Sequence, residues 1–298
     1  MITEEAVQTA PAPTRPAPRP PRPRTARRAW DEAPRWQLYV PLALYLLFTL
    51  IPFYWILLFA LRPAGSTSLV PWPVTFDHFH KVWTERSFAT YFQNSVYVGV
   101  ATLLLTTGVA LAGGYALARF DFRGKRGFML ALLCSQFVPG ALLLVPLFQI
   151  FAELRMINSL GSVVLAETVF QLPLSMILIS GFIRNVPYAL EEAAWVDGCG
   201  RLAAFRIVVL PLLRPGLIAV GSFAFVHAWN HFLFALMFLS DQSKQTIPVG
   251  LNTLMGADSV DLGALAAGGI VAAVPVVIVF AFIQKWLITG FGAGAVKG

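Results

Sequence analysis

Apolar residues run in long blocks along this chain, and polar residues gather in the gaps between them. Six blocks are long enough to cross a bilayer, which takes about 20 helical residues. They cover 37–61, 95–118, 127–151, 162–183, 215–239 and 264–287. Each predicts an α-helix, because a segment alone in hydrocarbon must satisfy its own backbone hydrogen bonds. None alternates with period two over about 10 residues, as strands of a membrane barrel do. The expected fold class is therefore an all-α membrane protein with six transmembrane helices.

The gaps differ in character. Residues 1–36 alternate Pro11, Pro13, Pro16, Pro18, Pro20, Pro21 and Pro23 with small residues and Arg. Such a tail buries no core and is expected to be disordered or extended and attracted to anionic lipid. Residues 37–298 form the membrane domain. The gap 62–94 holds Pro71, Pro73 and the aromatics Phe76, Phe79 and Trp83, which suits a short interfacial helix. His78 and His80 there lack a third ligand nearby and read as surface residues rather than a metal site. Pro52, Pro139, Pro146, Pro173 and Pro275 predict kinks within the spans.

Charge sets the orientation. With the N-terminus inside, the inner segments hold seven Lys and Arg in 1–36, four in 119–126, four in 184–214 and two in 285–298. The outer remainder is Arg62, Lys81, Arg86, Arg155 and Lys244. Positive residues favour the cytoplasmic side, so both termini are assigned there. Hydrophobic residues make up 57% and charged residues 12%, which excludes an ordinary soluble domain. The net charge of +7 follows from this bias and the basic tail, and needs no nucleic acid. Cys134 and Cys199 make no disulfide framework. The first block is too long for the core of a cleaved signal peptide and reads as an anchor.

The gap before the fifth block carries the chemistry. Pro187 suits a helix start, Glu191 and Glu192 suit its positive end, and Gly198 suits a left-handed stop. This predicts a short helix over 187–197. Ala193 and Ala194 keep its surface low, and Glu192 and Asp197 offer acceptors to a partner's Arg or Lys. A second segment, 202–210, ends at Pro211. The spacing of Glu192, Ala193, Ala194, Asp197, Gly198, Phe205, Ile207, Leu210, Pro211 and Pro215 closely resembles the EAA loop of permease subunits of bacterial ATP-binding-cassette importers. Cys199 stands where Ala is usual.

The resemblance extends through Asn94-Ser95, Tyr115-Ala116-Leu117-Ala118-Arg119-Phe120 with Gly124, Trp229-Asn230 with Phe232, Ile247-Pro248-Val249-Gly250-Leu251 and Gly294-Ala295-Val296-Lys297-Gly298. It points to the carbohydrate branch and its maltose-permease-like smaller subunit. It implies a type I ABC importer permease fold, a multi-pass place in a prokaryotic cytoplasmic membrane, and a transport subunit rather than an enzyme. The implied partners are an ATPase dimer docked on the loop over 187–215, a second permease subunit and an extracytoplasmic solute-binding protein, besides membrane lipid. No catalytic or metal residues are expected here.

The chain carries no phosphate-binding loop, since Arg119 stands where the first glycine before Gly124-Lys125 is needed. ATP and Mg are thus expected on the partner subunits. Glu167 is the one acidic residue inside a block, and a charge at that depth costs about 2.5–3.5 kcal/mol on insertion scales. With Gln171, Trp229, Asn230 and His231 it forms the expected solute pathway, although helix–helix hydrogen bonding would use the same residues. The family often has an acidic residue where His231 stands. Competing readings are the same machine for another solute, such as glycerol phosphate or an oligopeptide-like compound, a self-powered secondary transporter, and a membrane enzyme. His227 and His231 are spaced like a metal pair, but no Glu follows His227 to make a protease motif.

Overall fold

A computed structural model of the chain describes residues 35–256 and 260–292. Most of the proline-rich tail and the C-terminal segment 294–298 lie outside the described residues. Every regular element among those described is helical. Two units divide the chain, Met1–Pro52 and Phe53–Gly298. The first contributes the opening turns of α1 (Arg35–Leu61), which contains Pro41 and Pro52.

Within the second unit, α2 (Phe88–Arg119) and α5 (Leu160–Arg184) form the central pair. They run side by side and finish at the same end. Their contact is close because α2 presents glycine to α5: a Cβ on Gly114 would come within 2.8 Å of Ile179 Cγ2. Small residues let membrane helices approach where no hydrophobic drive separates helix from lipid. α8 (Arg214–Asn230) packs on both, and α11 (Leu262–Gly292) packs on α8. At 32 residues, α2 is about 48 Å long, well beyond the roughly 30 Å of hydrocarbon. It begins at Phe88, seven residues before the apolar block does, because Phe88 and Tyr91 are buried rather than left in the gap.

Among the described residues, four helices are long and apolar enough to cross a membrane unbroken, and up to six spans result if each of two bent pairs counts as one. The third block is not a continuous helix. It divides into α3 (Lys125–Ser135) and α4 (Gly140–Glu153), bent by 96°. Pro139, with ψ 127°, cannot continue the first helix and opens the second. The fifth block is broken as well. α8 stops at Asn230, His231 is extended at φ −76° and ψ 124°, and a short α9 (Leu233–Phe238) follows.

The segment before α8 also departs from expectation. α6 (Ala189–Val196) starts two residues after Pro187. α7 (Arg201–Leu212) contains a π turn over Phe205–Val209 and passes Pro211 before meeting α8 at 74°. Prolines on both sides of Leu213, at 211 and 215, account for that bend. At the opposite end of α2, Asn94 Nδ2 donates to the carbonyls of Ser243 and Gln245 at 2.9 Å, and Ser95 Oγ accepts from the Ile247 N–H, which opens α10 (Ile247–Thr253). His78, expected at the surface, is buried there, with Nε2 3.2 Å from the Arg62 carbonyl.

Candidate functional site

The α6–α7 hairpin sits where α2 and α5 end. Gly198 lies between its arms at φ +86°, a left-handed geometry that favours glycine. Glu192, Ala193, Asp197, Gly198 and Ile207 are exposed. Ala194 is buried against the bundle, and Phe205, Leu210 and Pro211 are half-buried. Phe205 turns inward, its ring 5.0 Å from that of Tyr115 and edge-on. The outward surface of the hairpin also holds three large apolar side chains, Val196 at 87% exposure, Leu202 at 63% and Ile207 at 66%. A mixed surface of two carboxylates and three apolar knobs suits a protein partner better than water.

Glu191 has the opposite fate to its neighbour Glu192. It is 1% exposed. Its Oε1 accepts from Arg119 Nε at 2.6 Å and its Oε2 accepts from the Tyr115 hydroxyl at 2.7 Å. Arg119 Nη2 donates in turn to the Val186 carbonyl at 2.9 Å. Removing one partner of such a buried pair strands the other, at a cost of about 3–5 kcal/mol. Sequence reasoning passed over this group. Tyr115 and Arg119 stood out only as part of a family pattern, and nothing in the sequence joins them to a residue 76 and 72 positions away.

A second polar group lies between α5 and α8. Glu167 is fully buried. Its Oε2 is 3.1 Å from His227 Nδ1, and its Oε1 is 2.8 Å from His231 Nδ1. The second contact is short but lacks the alignment of a hydrogen bond. The imidazoles stack with centroids 5.4 Å apart, and 41% of the His227 side chain is exposed. Gln171, one turn further along α5, is buried with its Nε2 unpartnered.

Trp229 does not join this group. It is 2% exposed, its Nε1 donates to the Ala272 carbonyl at 3.0 Å, and Phe92 and Phe225 pack on its ring. Asn230 is exposed and its amide donates back to the Val226 carbonyl. Trp229 and Asn230 instead edge a hollow of about 370 Å³ together with Phe232, Ile247, Pro248 and Leu251. The five expected pathway residues thus divide between two places, with Glu167, Gln171 and His231 in one and Trp229 and Asn230 in the other.

The sequence pattern of one family, described as "Binding-protein-dependent transport system inner membrane component", matches residues 104–291. The chain is similar to the diacetylchitobiose uptake system permease protein DasC of Streptomyces coelicolor, at 36% identity over 252 residues, 83% of this chain and 91% of the relative. It is similar to the trehalose transport system permease protein SugB of Mycobacterium tuberculosis, at 32% identity over 256 residues, 84% and 93% of the two chains. Among solved structures, a chain of a bacterial ABC transporter that imports the acidic polysaccharide alginate superposes with a TM-score of 0.72 at 20% identity. That match covers 89% of this chain and 99% of the other, and it concerns the fold.

Proposed function

Since the chain belongs to the family of inner-membrane components of binding-protein-dependent transport systems, we propose that it is one of two permease subunits of an ATP-driven importer for an oligosaccharide-class solute. The relatives named for diacetylchitobiose and trehalose support that solute class. A separate ATPase dimer docks on the α6–α7 hairpin, and a solute-binding protein delivers at the opposite face. The Lys and Arg bias supports a cytoplasmic position for the hairpin and for both termini. Counting each bent pair as one span allows up to six crossings, which supports the six-span arrangement.

The observation that carries this reading is the outward row of Glu192, Val196, Asp197, Leu202 and Ile207 on a hairpin whose inner side is fixed to α2. ATP-driven closure of the docked ATPases pushes this row. The helices above it swing, and the pathway opens outward to receive solute. The Glu167–His227–His231 group faces that pathway through the exposed edge of His227. A self-powered carrier finds little to couple to here, since its one intramembrane carboxylate is already held by two histidines.

The test is co-purification in mild detergent of the wild-type chain and of Glu192→Lys and Gly198→Asp, assayed for bound ATPase. Each variant is expected to weaken capture about tenfold or more, roughly 1.4 kcal/mol, with helix content unchanged. Failure of the wild-type chain to hold any ATPase, with solute still crossing vesicle membranes without ATP, overturns the proposal.

A further inference from the structure

Docking alone does not explain how a push on an eight-residue helix reaches the membrane spans. α6 is joined by chain to α5 on one side and, through α7, to α8 on the other. Its polar tie to a third helix is Glu191. Both oxygens of that carboxylate are taken by the last turns of α2, through Tyr115 and Arg119, which stand four residues apart on one face. Arg119 also holds the turn between α5 and α6 through the Val186 carbonyl. Glu191 is buried and Tyr115 and Arg119 are half-buried, with the Arg119 side chain 9% and the Glu191 side chain 1% exposed.

A buried ion pair is a poor device for stability, because an apolar replacement of similar volume is often as stable. What it gives is direction. Apolar contacts slide over one another, whereas charge-assisted hydrogen bonds hold a fixed geometry. α2 is well placed to carry what it receives. It is one unbroken helix from Arg119 back to Phe88, and its far end is hydrogen-bonded through Asn94 and Ser95 to the segment before α10.

We propose that Glu191, Arg119 and Tyr115 form a clamp that makes α2 move with α6, so that α2 carries motion of the docked ATPase to the opposite end of the bundle. These are positioning residues, touching neither ATP nor solute. The proposal rests on the docking reading above and adds to it a defined route.

The test uses the assembled transporter in lipid, with Cys134→Ser and Cys199→Ser, and spin labels at Leu190→Cys on α6 and Leu104→Cys on α2. The distance between labels is measured without nucleotide and with ATP trapped by vanadate. In the parent it is expected to stay constant. In Tyr115→Phe and Glu191→Gln it is expected to shift with nucleotide, while the ATPase stays bound and keeps hydrolysing. The exchange Arg119→Glu with Glu191→Arg is expected to restore a constant distance. Tyr115→Phe removes one hydroxyl and leaves the ion pair, so it decides the matter if Glu191→Gln does not fold.

A distance that stays constant in Tyr115→Phe, or in a folded Glu191→Gln that holds its ATPase, overturns the clamp. So does a distance that already varies in the parent. Loss of the ATPase from folded Glu191→Gln would make Glu191 a docking residue and overturn the clamp while leaving the function intact. Absence of ATPase from the parent itself is the distinct failure, since it removes docking and the clamp with it.

Discussion

Glu191 and Glu192 are adjacent and chemically identical, and their roles are opposite. On a helix, neighbours point about 100° apart, so when one faces a packed partner the other faces out. The sequence shows two equivalent acids, and only the position of Arg119 in space separates them. The same limit hid the pairing of Glu167 with His227 and His231, which were legible as unusual residues at depth but not as one group. Trp229 was legible as a candidate pathway ring, but nothing told that its N–H would be taken by the Ala272 carbonyl on another helix while it edges a separate hollow. Asp261 illustrates a residue whose chemistry is testable by pH. It accepts from Lys81 Nζ at 2.7 Å and from the Ala264 N–H at 3.0 Å. The bond from the Lys81 ammonium is the main reason its carboxyl is held below the usual range, with burial opposing. Because the folded value is depressed, the pair's contribution is complete above the ordinary carboxylate value of about 3.9 and is lost as pH falls through the folded one. Both groups are partly exposed, so the contribution is screened to about 0–1 kcal/mol. Thermal melting from pH 7 to pH 3 is expected to show a small deficit of Asp261→Asn against the parent at neutral pH, closing below about pH 4.

At the scale of elements, the α2–α5 contact turns on two adjacent glycines that are not equivalent. A Cβ on Gly113 would meet the terminal Cε of Met176 at 2.2 Å, a flexible end that can move aside. On Gly114 it would meet Ile179 Cβ at 3.1 Å and the Met176 carbonyl oxygen at 3.2 Å, neither of which yields without shifting backbone. Gly114→Ala is expected to cost about 1–3 kcal/mol of stability. Gly113→Ala should be near neutral, since the helix propensity gained, about 1 kcal/mol, offsets a rotamer change. Comparative melting of the two purified variants checks this, and equal costs would contradict the packing described. The existence of the helices was legible from block length, because lipid demands it. Their breaks were not. Residues 136–139 and 231–232 are as apolar or as sparsely charged as their surroundings, and hydropathy is blind to direction. Pro139 gave one warning. His231 gave none, because what accompanies its extended backbone is a contact with Glu167 on another helix.

At the scale of the molecule, the family pattern begins at residue 104 and every residue of the candidate docking row lies between 192 and 207. Deletion of residues 2–34 is therefore expected to leave ATPase capture unchanged in the detergent assay, and a loss would assign the tail a share of the interface. The 96° bend between α3 and α4 carries a consequence for the lipid itself. At 11 and 14 residues, the two arms reach about 16 and 21 Å, and neither alone crosses the roughly 30 Å of hydrocarbon. The turn over 136–139 satisfies its own N–H groups, with Gln136, Phe137 and Val138 donating to the carbonyls of Leu133, Cys134 and Ser135. Regarded as a solvent, the bilayer cannot meet the carbonyl oxygens of residues 136–138, since lipid tails donate no hydrogen bonds. Phe137, 84% exposed at that corner, is then a stopper without its bottle. Alone in lipid this chain is an incompletely solvated solute, and the missing solvent at the corner is another protein surface or a column of water.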